Sequence, residues 1–385
     1  MQEITLGSLC CTPAGQVQLR PDIIIDYIDI SSVSNETKSI TGYTSIPFSD
    51  APSRARKAIK DKSILVSTVR PNLNAIAVFD KPTPNVPVAS TGFCVLDCKE
   101  NVDYRFIYHY CKSTRFINQM VAQATGASYP AVNDGIVRSA LLPNYCFEEQ
   151  KRISKLLDKT ETIIRSRKNE LQAFDTLIKA RFVEMFGTID NNPFEFPIVC
   201  LQDVCEQIKD GTHQTPEYTD DNMNGFKFLS SKDVTSGKID WHHLKYIPKA
   251  LHDELYARIA PRKGDILLAK NGTTGIAAIV DTDDVFDIYV SLALLRPMGV
   301  HPVYLWAAIN STETKRQFDA SLKGIGVPNL HLGEIKKAKV LMPPKEMQNQ
   351  FATFVSLVDK SKVVVQAALE KAQLLFDSLM QQYFG

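Results

Sequence analysis

Several familiar chemical signatures are missing from this chain of 385 residues. None of its eight cysteines forms a CxxC pair and no histidine group has zinc-ligand spacing, so reduced thiols are expected rather than a structural zinc or a disulfide framework. There is no GxxxxGK(S/T) loop to cradle a triphosphate and no GxSxG elbow to expose an activated serine. No apolar run approaches the ~18 residues that a membrane span needs. No apolar stretch follows a basic start, so no secretory signal is expected, and the reading is a cytoplasmic protein with no membrane partner. An excess of one charge is missing as well. Lys+Arg 44 against Asp+Glu 43 leaves a net charge of +1, which permits a local basic face but not a uniformly basic surface. Asp220-Asp221 and Asp283-Asp284 read as solvated turns rather than metal carboxylates.

What is present is first a long stretch without helix breakers. Phe147 to Gly187 contains no proline and no glycine before its last residue. Leu157, Ile164, Leu171, Ile178 and Met185 recur every seven residues, with Ile153, Phe174 and Phe182 beside them, which predicts one long helix with an apolar stripe that seats against another helix. The C-terminus ends in a second such helix. Phe186-Gly187 and Phe384-Gly385 close the two, and the same 198-residue offset separates Gln150 from Gln348 and Pro130 from Pro328. The residues around Ile64–Phe79 correspond to 261–280, and Gly126–Ala131 to Gly324–Asn329. Elements repeat in order while loop residues differ, which predicts one scaffold used twice. The expected division is a first globular domain at 1–143, a spacer helix at 144–187, a linker at 188–197, a second globular domain at 198–343 and a second spacer helix at 344–385. Residues 103–124 and 303–322 read as single helices. A helix of ~40 residues is ~60 Å long. Two such helices packed antiparallel would hold two similar heads on a rigid spacer, which suits a ligand with two separated half-sites.

The stretches Ala51-Pro-Ser-Arg-Ala-Arg56, Ser67-Thr-Val-Arg-Pro-Asn72, Lys263-Gly-Asp-Ile-Leu267 and Phe147-Glu-Glu-Gln-Lys-Arg-Ile153 appear in an order that resembles the specificity (S) subunit of Type I restriction-modification systems. The resemblance covers essentially the whole chain. It implies an α+β fold: two similar target recognition domains of mixed β-sheet with helices, related by a pseudo-two-fold internal repeat and joined by two long antiparallel helices in a coiled coil. It also implies a non-catalytic subunit of a methyltransferase and endonuclease complex. Double-stranded DNA and two methyltransferase (M) subunits would be its partners, with restriction (R) subunits joining that core. This chain would bind no cofactor, while the complex would use S-adenosylmethionine, and ATP and Mg when R subunits are present. One departure is Lys62-Ser63, where the second half has Gly264-Asp265. An adenine methyltransferase needs an Asn/Asp-Pro-Pro-aromatic loop for the flipped base. The nearest string, Asn192-Pro193-Phe194, lacks the second proline.

Candidate DNA-facing residues follow from side-chain chemistry. Arg54, Arg56 and Lys57 read either as a compact basic tip for phosphates or as a solvated run. Arg70, Asn72 and Asn74 lie on an expected hairpin tip, where arginine can read guanine and asparagine adenine, or where asparagine simply makes the turn. Lys270, Asn271, Thr273 and Thr274 hold the equivalent place in the second half. His213, Gln214 and Thr215 form a polar loop, and Ser128, Tyr129, Asn329 and His331 lie on the matching late loops. On the first long helix Glu149, Arg152, Arg165 and Lys168 are candidates for docking M subunits, or a solvated face. Arg167 and Arg181 interrupt the apolar seam. The competing expectation is a coiled-coil adaptor that never touches DNA. An enzyme in its own right is the third reading, and the missing cofactor loops weigh against it.

Overall fold

The computed structural model describes residues 2–219, 224–234, 237–322 and 328–385. Asp220-Asp221 and the Gly324–Val327 part of the second late loop lie outside them. The chain forms two compact units, one from residues 1–168 with 367–385 and the other from 169–366. Their borders fall inside both long helices.

In the first unit a four-stranded sheet runs Thr44–Pro47, Ile24–Ile28, Val86–Ser90, Ala55–Ala58, with its central pair parallel and both edges antiparallel. A three-stranded antiparallel sheet runs Phe93–Leu96, Ser63–Ser67, Ile76–Phe79. Its middle strand, SILVS, is buried at every position, as a short uninterrupted apolar run between turns should be. Glu3–Thr5 pairs with Leu141–Pro143. The second unit repeats this logic. Ile266–Ala269 lies between Leu292–Pro297 and Ala277–Ile279, with Cys205–Asp210 added at the edge. Phe226–Leu229 pairs in parallel with Phe286–Ile288 and antiparallel with Lys245–Ile247. Ile198–Cys200 pairs with Lys339–Leu341. The mixed α+β fold is as expected.

The repeat is held by glutamine amides, of which Gln150 and Gln348 are buried. Gln150 accepts from the Asp103 N–H (3.0 Å) and donates to the Tyr145 carbonyl (2.9 Å). Gln348 does the same with His301 (2.7 Å) and Pro343 (2.8 Å). Gln119 clamps both backbone groups of Leu141, and Gln317 those of Lys339. The Lys62-Ser63 departure also leaves the architecture intact. Lys62 takes the left-handed conformation (φ 67°) that Gly264 takes in the second unit (φ 90°). Ser63 and Asp265 each accept from the backbone N–H three residues earlier.

Each of the expected single helices, 103–124 and 303–322, is in fact two. Tyr104–Lys112 stops at Ser113, whose side chain caps Thr114–Gln123, and Pro302–Ile309 is followed by Thr312–Ser321, capped by Ser311. A serine hydroxyl accepting from the third backbone N–H starts a new helix more cheaply than it continues an old one.

The long helices span Phe147–Phe186 and Lys345–Phe384, each 40 residues. Of the seven-residue stripe, Leu157, Ile164, Ile178 and Met185 are buried and Leu171 is half-buried. Within the first unit Ile153 and Leu157 share a core with Leu379, Tyr383 and Phe384. Within the second, Ile178, Phe182, Met185 and Phe186 share one with Phe351, Val355 and Val358. The segments there run antiparallel: Phe182 meets Phe351 (ring centroids 5.5 Å), and eleven residues further along the second helix Lys362 meets Asp175 at 2.6 Å. Arg181 pairs with Glu184 and lies over the Phe354 ring, so it covers the seam with its stem instead of breaking it. No helix among the described residues is long and apolar enough to cross a membrane.

Candidate nucleic-acid interface

In the first unit the strand Ser63–Ser67 runs into a tight tip. Arg70 (φ 50°) and Asn74 (φ 51°), both left-handed, flank the single 3-10 turn Pro71–Leu73. The tip is zipped to the late loop. Arg70 N–H donates to the Pro130 carbonyl (2.7 Å), and Val132 N–H to Thr68 (2.9 Å). The second unit closes identically: Gly272 N–H donates to Pro328 (3.1 Å) and Leu330 N–H to Lys270 (2.8 Å), with Asn271 and Asn329 paired between. Candidate tips and late loops, far apart in sequence, are therefore neighbours in both units.

Exposed on the first unit's surface are Arg70, Asn72, Ser128 and Tyr129. The Arg70 guanidinium lies 4.7 Å from the centre of the Tyr129 ring, which is 68% exposed. Sequence reasoning missed Leu73, an apolar side chain 44% exposed on the same turn. Asn74 corrects an expectation. It is 7% exposed and donates to the Cys111 carbonyl (2.9 Å), so it builds the turn and does not face a ligand.

The basic run 54–57 is likewise not a compact tip. Ala55–Ala58 is a strand with a bulge between Ala55 and Lys57, so its cations diverge. Arg54 binds the Tyr27 hydroxyl (3.2 Å) and Asp29 (2.7 Å), which raise its pKa. Lys57 binds Asp134 (2.5 Å). Arg56 donates to the Ala55 carbonyl and stacks over Phe48 (5.0 Å). Their carboxylate partners lie far away in sequence, so no local pattern announced them.

On the second unit His213, Gln214, Thr215, Thr273 and His331 are exposed. Lys270 is 5% exposed, with its ammonium 3.3 Å from Asp210, the carboxylate that also holds His213 (3.2 Å). Thr274 is buried too, so Lys270 and Thr274 support the loop from beneath. The Oδ1 atoms of Asn271 and Asn329 are buried without a hydrogen-bond partner among the described residues.

On the first long helix Arg152 pairs with Glu149 (2.8 Å) and stacks over Tyr383, while Arg165 and Lys168 are exposed. The second helix carries a surface that the sequence reading passed over. Val363 and Val364 are each 70% exposed in the second unit, and Leu374 and Leu375 are exposed in the first. The signal was there: KVVVQAALEKAQLLF has more apolar residues than one seam can bury.

One group has cation-ligand geometry. His109, Asp158 and Glu161 offer atoms within 4.8 Å of one another. Lys112 already pairs with Glu161 and supplies the positive charge. Burial lowers the His109 pKa, opposed by its hydrogen bond to Asp158 (2.8 Å), and the group fastens Tyr104–Lys112 to the long helix. Asp283 and Asp284 pair with Lys263 and Lys227 at the surface.

Residues 193–372 match the family model described as Type I restriction modification DNA specificity domain. The chain is 23% identical over 257 residues to the Type I restriction enzyme MjaVIII specificity subunit of Methanocaldococcus jannaschii, covering 62% of this chain and 60% of that protein. It is 26% identical over 157 residues to the HindI specificity subunit of Haemophilus influenzae, covering 40% of this chain and 34% of that one. The matched region thus spans less than two thirds of either relative. Among solved structures, one described as the structural basis of complex assembly and conformational transition of the type I R-M system superposes with TM-score 0.61 at 24% identity, covering 100% of this chain and 97% of that one. The S subunit of a Type I system from M. genitalium gives 0.58 at 14% identity, covering 100% and 96%. At these identities the structural likeness is one of fold.

Proposed function

We propose that this chain, which belongs to the family of Type I restriction-modification specificity subunits, reads a bipartite site on double-stranded DNA, one half-site per unit. The observation that carries this is the duplicated zip of tip and late loop. The backbone bonds recur in both units, while the exposed side chains differ: Arg70, Asn72, Ser128 and Tyr129 in one, and His213, Gln214, Thr215, Thr273 and His331 in the other. A fixed frame with exchangeable side chains is what base readout requires, since the frame positions and the edges specify.

The long helices then set the distance between half-sites and dock two methyltransferase subunits. Val363 and Val364 support the docking half of this reading, because they are neighbouring apolar side chains, each 70% exposed, on the second long helix. In this scheme the chain performs no chemistry itself. Methyl transfer from S-adenosylmethionine belongs to the M subunits, and ATP- and Mg-dependent steps to R subunits.

Mapping N6-methyladenine in a genome that expresses this chain with its M partner tests the reading. The expected result is one split motif with a fixed gap. Methylation without regard to sequence would overturn it. Gel shifts at low salt with no retardation, with or without M, would favour a protein adaptor that leaves DNA alone.

A further inference from the structure

Among the described residues, the tip of the first unit carries a feature that the tip of its counterpart does not. A non-glycine residue in the left-handed region is strained, and such strain persists where the surroundings and function require it. The first tip holds two, Arg70 and Asn74. The second unit places Gly272 where the first has Arg70, and both donate their N–H to the matching proline carbonyl. Asn74 is explained by its bond to Cys111. Among the described residues the Arg70 side chain makes no such internal bond. Its guanidinium instead lies over the exposed ring of Tyr129. The strained backbone therefore keeps a side chain at a position where glycine would be easier.

Arg70 and Tyr129 stand at the lip of a concavity of about 320 Å³. The rest of its lining is mostly apolar, with Ile30, Val33, Val69 and Leu73 beside the polar Asn35 and Ser67. The walls are braced: Lys38 donates to the Asn74 carbonyl (2.6 Å) and Tyr108 to that of Lys38 (3.0 Å). A groove edge is read by side chains that project. A recess with an aromatic face, an apolar floor and one guanidinium suits something that projects from the DNA, flat and apolar on its faces, polar at its rim and tied to an anion.

We propose that this concavity is a nucleobase site, in which one base of the first unit's half-site leaves the stack and lies between Tyr129 and Leu73, with Arg70 beside its phosphate or its edge. This rests on the DNA-reading function above. Stacking of an unpaired base on an aromatic ring is insensitive to sequence and strong enough to hold an extruded nucleotide. The first unit would thus sense how easily a base pair opens.

Fluorescent base analogues test the idea in the complex of the full chain with its M partner. 2-Aminopurine at purines and pyrrolocytosine at pyrimidines are placed in turn at every position of both mapped half-sites. Apart from the adenines that M methylates, one position in one half-site should brighten on binding. Tyr129→Ala should abolish that signal and weaken DNA binding about tenfold, and Tyr129→Phe should keep both. The exposed ring makes little contribution to folding, and an unchanged Tm checks this. If the wild-type complex methylates its split site and no further position brightens, or if brightening survives in Tyr129→Ala, the site does not exist. If the wild-type complex shows no sequence-specific binding, the reading beneath it falls and takes this inference with it.

Discussion

Asp287 shows how burial sets a residue's behaviour. Its carboxyl is almost wholly enclosed, 2.7 Å from His252, and one oxygen has no partner among the described residues. Burial raises its pKa from the ordinary 3.8 to about 6, opposed only in part by the His252 hydrogen bond. Between those values the folded state binds more protons than the unfolded one, so this group makes stability fall as pH rises from about 4 to about 6 and leaves a constant cost above. Asp287→Asn should flatten that part of the Tm-against-pH curve and should not lower Tm at pH 7. Parallel curves for the two proteins would contradict it. At this scale legibility was uneven. Tyr129 and Arg70 were visible because an aromatic in a polar loop and an arginine before a proline both stand out. Asn74, Lys57 and Lys270 were not, because Cys111, Asp134 and Asp210 reach them across the fold.

The helical elements were read from their breakers, and their ends came out nearly to the residue because Gly187 and Gly385 follow the last turns. The shorter helices were misjudged because the apolar pattern continues through Ser113 and Ser311 while their hydroxyls restart the backbone. Two predictions belong here. Seven residues of helix added at both 168/169 and 366/367 lengthen each helix by about 10 Å. Methylation mapping should then show the gap widened by about 3 base pairs, at ~3.4 Å each, with both half-sites unchanged. A changed half-site would mean that the helices take part in reading. Separately, Val363→Asp with Val364→Asp should abolish co-purification with M subunits while shifting stability by no more than about 0.5 kcal/mol, since both side chains are already in water. Retained co-purification would place the docking surface elsewhere.

At the scale of the molecule, the duplication was legible because Gln150 and Gln348 keep identical jobs, whereas the long-range packing of the helix ends was not. Sequence reasoning separates heads from helices, and packing does not. Each unit takes one stretch from each long helix into its core: Leu379, Tyr383 and Phe384 complete the first, and Ile178, Phe182, Met185 and Phe186 the second. Fragments 1–187 and 188–385 should therefore fail to melt cooperatively as monomers, since each lacks core side chains worth several kcal/mol. Co-expression should restore a cooperative transition, as followed by circular dichroism. A monomeric 1–187 fragment that melts sharply would show that the exchanged ends are dispensable.

The same exchange bears on synthesis at the ribosome. Domains ordinarily fold in the order in which they emerge, at about 5–20 residues per second. Here the unit that begins at the N-terminus waits for residues 367–385, roughly 200 residues after its own Lys168. It must therefore stand incomplete for some 10–40 s, with the Phe106 and Tyr110 rings that will receive Phe384 still uncovered, while the unit built from 169–366 can close first. Nascent chains would thus be most in need of chaperone protection at the unit that emerges earlier of the two.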